Sequence, residues 1–171
     1  MSLRNQLLIL MGTANSLLAL DLAVCPSRPG SIDSLTDSAF RQEIGRIAAR
    51  SGIEARFLPC ANQEPAVIRL TVYEAGPDDA PDALGAAARR GGRIAPELRV
   101  FVGPIARLVG TRLPYLLGVA MARVAAHELG HYLRQDAGHD GDGEIMSAGL
   151  TGPKLIAAHE FRLPRPSVRS Q

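Results

Sequence analysis

Two histidines and a glutamate within five residues carry the clearest chemical signal in this chain. His127 and His131 stand four apart in the stretch His-Glu-Leu-Gly-His, and residues four apart lie on the same face of a helix. Both imidazoles can therefore reach one metal ion. Zinc suits this donor set because it binds neutral imidazole and keeps one position for water when three protein ligands hold it. Glu128 is turned round the helix from the ligands and is placed as the general base that takes a proton from the zinc-bound water.

The third ligand must come from outside this motif. We favour His139, because a third imidazole matches the softness of the first two ligands. Seven residues lie between His131 and His139. Gly138 can adopt the left-handed conformation that ends a helix, so that the chain turns and brings His139 back to the metal. Carboxylates remain alternatives to His139, namely Asp136, Asp140 and Asp142 in the same loop and Glu160 on a later segment.

An apolar pair, Ile145-Met146, follows in a loop that is otherwise polar and rich in glycine. Buried beneath a three-histidine site, Met146 would give that site an apolar floor. Three of the four histidines of the chain fall within thirteen residues, which favours a metal site over ordinary core or surface histidines. The latter interpretation predicts no bound metal and no loss of stability on chelation.

These residues together resemble the metzincin branch of zinc peptidases, with HELGH, a third histidine and then Ile-Met in order. The chain departs from the family pattern HExxHxxGxxH, since the glycine of that pattern falls at Arg134 and its third histidine at Ala137. The chain is more similar to a group of uncharacterised bacterial zinc peptidases that have HExGH, seven residues, a histidine and then an Ile-Met turn. The resemblance extends loosely over most of the chain and implies a zinc metallopeptidase, without naming a substrate.

Two further expectations follow from the resemblance. The reaction would be hydrolysis of a peptide bond in a peptide or protein substrate, with Glu128 as the base. In metzincin-like enzymes the edge strand above the site pairs with the extended substrate backbone, a role that would fall to residues 98–102 or to the segment after them. The alternative is a catalytically silent zinc-binding protein or peptide-recognition module, whose function would survive replacement of Glu128 by glutamine.

Strand, helix and strand follow one another in the first part of the chain. Residues 18–24 and 55–58 have the composition of strands, and Ser34–Arg50 has the apolar stripe of an amphipathic helix. This order predicts a right-handed βαβ unit with parallel strands. Cys25 and Cys60 each follow the carboxyl end of a strand, so that a disulfide is expected if the protein is exported, and two unrelated thiols if it is not.

The remaining elements complete the prediction of an α/β (or α+β) fold, in which a small twisted mixed sheet is backed by two long helices. The HELGH motif lies on the second of these helices, and the zinc lies in a cleft under the sheet edge. The individual predictions are strands at residues 67–73 and 98–102, a long surface loop at 78–96 with one helical turn at 83–89, the motif helix at Pro114–Arg134, and a last helix at 151–161.

Length and charge restrict the domain count and the partners. A chain of 171 residues favours one domain, at residues 17–163, followed by a flexible tail at 164–171. The formal net charge is +2, and no dense basic run accompanies the scattered arginines. We therefore expect no nucleic-acid partner.

The N-terminus has features of an export signal. Arg4 precedes the apolar run at residues 7–11, and small residues follow at positions suited to cleavage. This pattern predicts a signal peptide at residues 1–16 and a secreted or periplasmic protein. The alternative is a cytoplasmic protein that begins with a buried helix. Asn15, Ser16 and Asp21 interrupt the apolar sequence, so no stable membrane span is expected.

Overall fold

A five-stranded mixed sheet with helices packed on it forms the frame of the structure, in the order β2-β1-β3-β5-β4. The computed structural model describes residues 18–28, 32–61, 64–139, 145–158 and 160–165. The mixed α/β class expected from the sequence is confirmed. The strands are β1 (Leu18–Pro26), β2 (Ile53–Leu58), β3 (Ile68–Tyr73), β4 (Gly85–Arg90) and β5 (Arg93–Phe101), and the helices are α1 (Ser34–Arg50), α2 (Val102–Val109), α3 (Pro114–Arg134) and α4 (Gly152–Ile156).

The βαβ unit predicted from the first part of the chain is present. β1 and β2 pair in parallel, with Leu18 opposite Ile53, and α1 connects them over the bounds that the sequence predicts. Asp33 caps α1, because its carboxylate accepts hydrogen bonds from the backbone N–H groups of Leu35 and Thr36. β3 and β5 extend the parallel part of the sheet on the other side of β1.

Cys25 and Cys60 form a disulfide that joins the carboxyl end of β1 to the chain just after β2. Their Cα atoms lie 5.5 Å apart. Two neighbouring parallel strands end at the same edge of a sheet, and this brings the two thiols together. The bridge lies beside a small apolar cluster that is separate from the main core and contains Ala23 and Val67.

The prediction for residues 78–96 is wrong, because this segment contains a strand and not a loop with a helical turn. β4 pairs antiparallel with β5, and the turn between them is Gly91-Gly92. Both glycines have positive φ, 56° and 76°, which suits a tight hairpin. The sequence of β4 is Gly-Ala-Ala-Ala-Arg-Arg. It contains no β-branched residue, so the partner strand and not local propensity makes it extended.

β5 lies inside the sheet, between β3 and β4, and β4 is the outermost strand on this side among the described residues. The expectation that residues 98–102 or the segment after them form the edge above the site is therefore wrong. Val102 already begins α2. The register between β4 and β5 shifts around Ala87 and Arg89. Pro96 lies opposite this shift and has no N–H to donate to the ladder.

The helices α1 and α3 pack on each other and on the sheet. Pro114 is in the first turn of α3, and the helix ends at Arg134, as the sequence predicts. Gly118 is the point of closest approach, since a Cβ there would clash with the backbone carbonyl of Thr36 on α1. No single helix in the described ranges is long and apolar enough to span a bilayer. Only α2 and α3 taken together would be, and they meet at an angle of 113°.

The last helix is shorter than expected. α4 has five residues and ends at Ile156, whereas the sequence predicted a helix through residue 161. Thr151 occupies the N-cap position, but its side chain makes no capping hydrogen bond. The chain continues from Ala157 in an extended conformation. Residues 1–16, predicted to be a signal peptide, and most of the predicted tail lie outside the described residues.

Arg123 connects three parts of the core from its position one turn before the motif. It is 3% exposed, and its Nε donates to Glu43 of α1 at 2.9 Å. Its Nη1 donates to the carbonyl oxygens of Lys154 and Ala157, at 3.0 and 2.6 Å. Burial raises the pKa of Glu43, but hydrogen bonds from Arg46 and Arg123 outweigh it, so the pKa lies below its ordinary value.

Replacing Arg123 by methionine should lower the free energy of unfolding by about 3 kcal/mol, since a buried ion pair loses one partner and two backbone carbonyl groups lose their donor. Arg41→Met is the matched control, because Arg41 forms an exposed pair with Asp37 on α1 and should cost less than about 1 kcal/mol. Urea denaturation measures both. Equal losses in the two variants would contradict the connecting role of Arg123.

Candidate metal centre

His127 and His131 lie one above the other on the last turns of α3, and each is 7% exposed. Their Nε2 atoms face each other at 3.0 Å. Each Nδ1 lies against a backbone carbonyl, that of Ile145 at 2.6 Å for His127 and that of Asp136 at 2.8 Å for His131. A carbonyl oxygen can only accept, so each Nδ1 carries the proton and each Nε2 has a free lone pair.

Both buried imidazoles are neutral at neutral pH. Burial lowers the pKa of His127 to about 4, and the hydrogen bond to Ile145 raises it by less than burial lowers it. Burial also lowers the pKa of His131. A neutral imidazole that is oriented by a second hydrogen bond is the form that binds a metal ion.

His139 completes a cluster of three. One ring nitrogen from each of His127, His131 and His139 lies within 4.8 Å of the other two. The His139 ring stacks on that of His127 at a centroid distance of 5.2 Å and meets His131 edge-on at 5.0 Å. His139 is exposed, so the cluster opens to solvent on its side. The three sequence-predicted histidines are thus close enough to hold a metal ion.

The turn that returns His139 differs from the prediction. The left-handed residue after α3 is Gln135, with φ 53°, and Gly138 is not among the residues with positive φ. Gly138 instead donates its N–H to the Asp136 carboxylate at 2.9 Å, a local turn that asparagine and aspartate commonly make. Sequence reasoning missed Gln135, because a left-handed glutamine has no distinctive signal.

Gln135 also fastens the end of α3 to the hairpin. Its amide Oε1 accepts from the backbone N–H of Ile94 at 3.1 Å, and its Nε2 donates to the carbonyl of the same residue at 3.0 Å. These two hydrogen bonds have the same arrangement as a hydrogen-bonded residue pair between two β-strands. The loop that carries His139 therefore starts from a point held by both α3 and β5.

Met146 is buried beneath the helix between the two histidines. It is 1% exposed, and its Sδ lies so close to Gly130 that a Cβ on that glycine would clash with it. The glycine of HELGH therefore makes room for the methionine, a role that sequence reasoning did not assign to Gly130. The neighbouring carbonyl of Ile145 holds His127, so a single turn supplies both the apolar contact and the orienting acceptor.

Glu128 lies against β4. A Cβ at Gly85 would lie 2.9 Å from Glu128 Oε1, so the missing side chain of Gly85 leaves space for the carboxylate. Burial raises the pKa of Glu128 to about 7. Glu128 is 8% exposed, and burial is the cause of its raised pKa. It is a proton acceptor held in an apolar environment.

The described carboxylate alternatives for the third ligand lie outside this cluster. The Asp136 carboxylate is 3.7 Å from Arg134, and only the backbone carbonyl of Asp136 reaches a histidine. Glu160 pairs with Arg50, and its side chain is 75% exposed. Asp140 and Asp142 fall outside the described residues.

Comparisons with known proteins add no assignment. The chain matches no protein-family model, and no curated protein matches its sequence. The site must therefore be interpreted from its own geometry.

In the metal-free protein, the contribution of Glu128 to stability should fall as pH rises from 4.5 to 7, because folded Glu128 then binds more proton than unfolded Glu128. Glu128→Gln removes this dependence. The variant should match the wild type below pH 4.5 and exceed it by up to about 3 kcal/mol above pH 7. His127 and His131 act in the opposite direction at acid pH, but they contribute equally to both proteins and cancel in the difference.

Denaturation in the presence of a chelator measures this difference across the pH range. Glu54→Gln on the exposed surface of β2 is the control, and it should show a constant offset. A difference for Glu128→Gln that does not change with pH would contradict a buried carboxyl group.

Proposed function

We propose that this protein is a zinc-dependent metallopeptidase with a zincin-like, and specifically metzincin-like, arrangement. The observation that carries the proposal is the cluster of His127, His131 and His139 beside the buried carboxylate of Glu128. The edge strand β4 passes this carboxylate at Gly85, and Met146 lies beneath the helix. Such a peptidase requires metal ligands, a base, a strand edge that can bind a peptide and an apolar floor.

Zinc fits the donor set better than the hard cations do. Magnesium and calcium prefer oxygen ligands, whereas the three ligands here are imidazoles, two of them neutral because burial lowers their pKa values. Three protein nitrogens leave a fourth position open in a tetrahedral site. When bound, zinc would polarise the carbonyl of the scissile peptide and lower the pKa of a water molecule. His127, His131 and His139 would hold it.

Glu128 would handle the proton in this reaction. A carboxylate with a pKa of about 7 can both accept a proton at neutral pH and release it again, which suits one group acting first as base and then as acid. It would take the proton from the attacking water and pass it to the leaving amine. Its position next to β4 would put it beside the backbone of a substrate bound along that strand.

The edge of β4 would bind the substrate backbone. No strand of the described residues pairs with its outer side, which can accept an added strand. The first four residues of β4, Gly85 to Ala88, carry at most a methyl group. A peptide can therefore approach the edge closely. β4 thus takes the substrate-pairing role that was expected for residues 98–102 or the segment after them.

The disulfide suggests where the protein works. Cys25 and Cys60 are joined, and disulfides persist mainly in oxidising compartments. We therefore propose a secreted or periplasmic location, in keeping with the signal peptide predicted at residues 1–16. The substrate would be a peptide or protein encountered there.

Purified protein should bind one zinc ion per chain, with His139→Ala weakening the affinity by more than about 10-fold, since even residues behind a ligand contribute this much. Asp136→Asn and Glu160→Gln are the controls and should retain the wild-type affinity. Elemental analysis and a competition titration measure both quantities. No zinc after reconstitution, or a larger loss for Glu160→Gln than for His139→Ala, would sink the three-histidine site.

Glu128→Gln should lower peptide hydrolysis by about 10²- to 10⁴-fold, the usual contribution of a general base. Its zinc content should equal that of the wild type, because the side chain is not a ligand. A peptide library read by mass spectrometry measures turnover. A zinc-loaded wild type that cleaves no peptide would contradict the peptidase and agree with a silent zinc-binding or peptide-recognition module.

A further inference from the structure

The hairpin between β4 and β5 carries three arginines at its tip. We name Arg89, Arg90 and Arg93, which flank the turn Gly91-Gly92, the cationic hairpin. All three are exposed. Arg90 pairs with Glu97 at 2.8 Å, whereas Arg89 and Arg93 form no ion pair with any carboxylate of the described residues. Among the residues that the structure describes, the tip therefore has more positive charge than its ion pair with Glu97 neutralises.

The cationic hairpin is held at the same end of α3 as the histidine cluster. Gln135 binds both backbone polar groups of Ile94, the residue next to Arg93. Gln135 is also the residue at which α3 ends, four positions after His131. The position of the charged tip relative to the cluster is thus fixed by two hydrogen bonds and not only by surface side chains.

β4 itself connects the two features. Its first residue, Gly85, lies against Glu128, and its last two residues are Arg89 and Arg90. At about 3.3 Å per residue, four residues of strand span about 13 Å. A peptide paired along β4 that crosses Glu128 therefore reaches the cationic hairpin about four residues away.

We propose that the cationic hairpin selects peptide substrates with acidic residues about four positions to the N-terminal side of the bond that is cleaved. The N-terminal side follows from antiparallel pairing with β4, the more stable of the two ladders: the end of β4 then lies opposite the earlier residues of the peptide. This inference rests on the proposed peptidase function, but the recognition of acidic peptides can be measured without turnover.

The expected preference is moderate and depends on salt. Exposed charges interact weakly through water, and salt screens them within about 8 Å at physiological ionic strength. For two aspartates facing two unpaired arginines, we expect about 5- to 10-fold tighter binding at low salt than for two asparagines. Most of this difference should disappear at high salt.

The test measures binding to the Glu128→Gln protein by fluorescence anisotropy, which avoids cleavage of the probe. Each probe is a peptide with a neutral dye and a common neutral sequence. The three probes differ only near the N-terminal end, where one has two aspartates, one has two asparagines and one has two lysines. We expect the order aspartate, asparagine, lysine from tightest to weakest. Arg89→Gln with Arg93→Gln should reduce the preference for aspartate to less than about 2-fold.

The matched control is Arg41→Gln with Arg112→Gln, which lowers the formal net charge of +2 by the same two units. Arg41 lies over Phe57 of β2, at the opposite edge of the sheet, and Arg112 precedes the far end of α3. This control should keep the full preference. Equal loss in both double variants, equal binding of all three probes, or no measurable binding would overturn the proposal.

Cleavage by the wild type tests the proposed function separately. Products identified by mass spectrometry should have their acidic pair on the N-terminal side of the new end, and the opposite polarity would overturn the antiparallel arrangement. A wild type that prefers acidic probes but cleaves none would contradict the peptidase and leave the cationic hairpin as a recognition surface. Cleavage without regard to acidic residues would support the peptidase and contradict the selection of substrates by the cationic hairpin.

Discussion

The site depends on two hydrogen bonds by which buried histidines reach backbone carbonyls. His127 donates to the carbonyl of Ile145, and His131 donates to that of Asp136. These bonds fix which ring nitrogens are free, and they also tie two loops to one helix. The loop before His139 and the turn at Met146 are each held by one neutral imidazole. Burial keeps both imidazoles neutral, so the hydrophobic core sets the protonation state on which the geometry of the centre depends.

The rest of the core holds the helix against these loops. Arg123 stands one turn before His127 and binds Glu43 on α1 together with two carbonyls around the end of α4. The segment after Met146 is thereby attached to the same helix that carries His127 and His131. At the other end of the motif, Gln135 fastens the helix to β5. The histidines thus lie between two polar anchors whose partners come from distant parts of the chain.

Sequence patterns predicted the elements whose structure is determined by residues close together in the chain. The apolar stripe of α1 and the proline before the motif gave the correct helix bounds. The helical spacing of His127 and His131, with the preference for a third imidazole, predicted the three-histidine cluster. β4 was missed because Gly-Ala-Ala-Ala has no preference for a strand, and only its pairing with β5 makes it one. The turn at Gln135 was missed because the contacts with Ile94 that hold it are long-range. The shortened α4 has a similar origin, since Arg123 binds the carbonyl of Ala157 where the helix ends.

The free edge of β4 has a consequence for the behaviour of the protein in solution. An unpaired strand with small side chains can bind any extended chain, including a second copy of itself. In this protein the edge ends in Arg89 and Arg90. A neighbouring copy that paired with β4 in parallel and in register would bring these arginines together and would meet repulsion. The two arginines therefore disfavour this parallel pairing between copies of the protein.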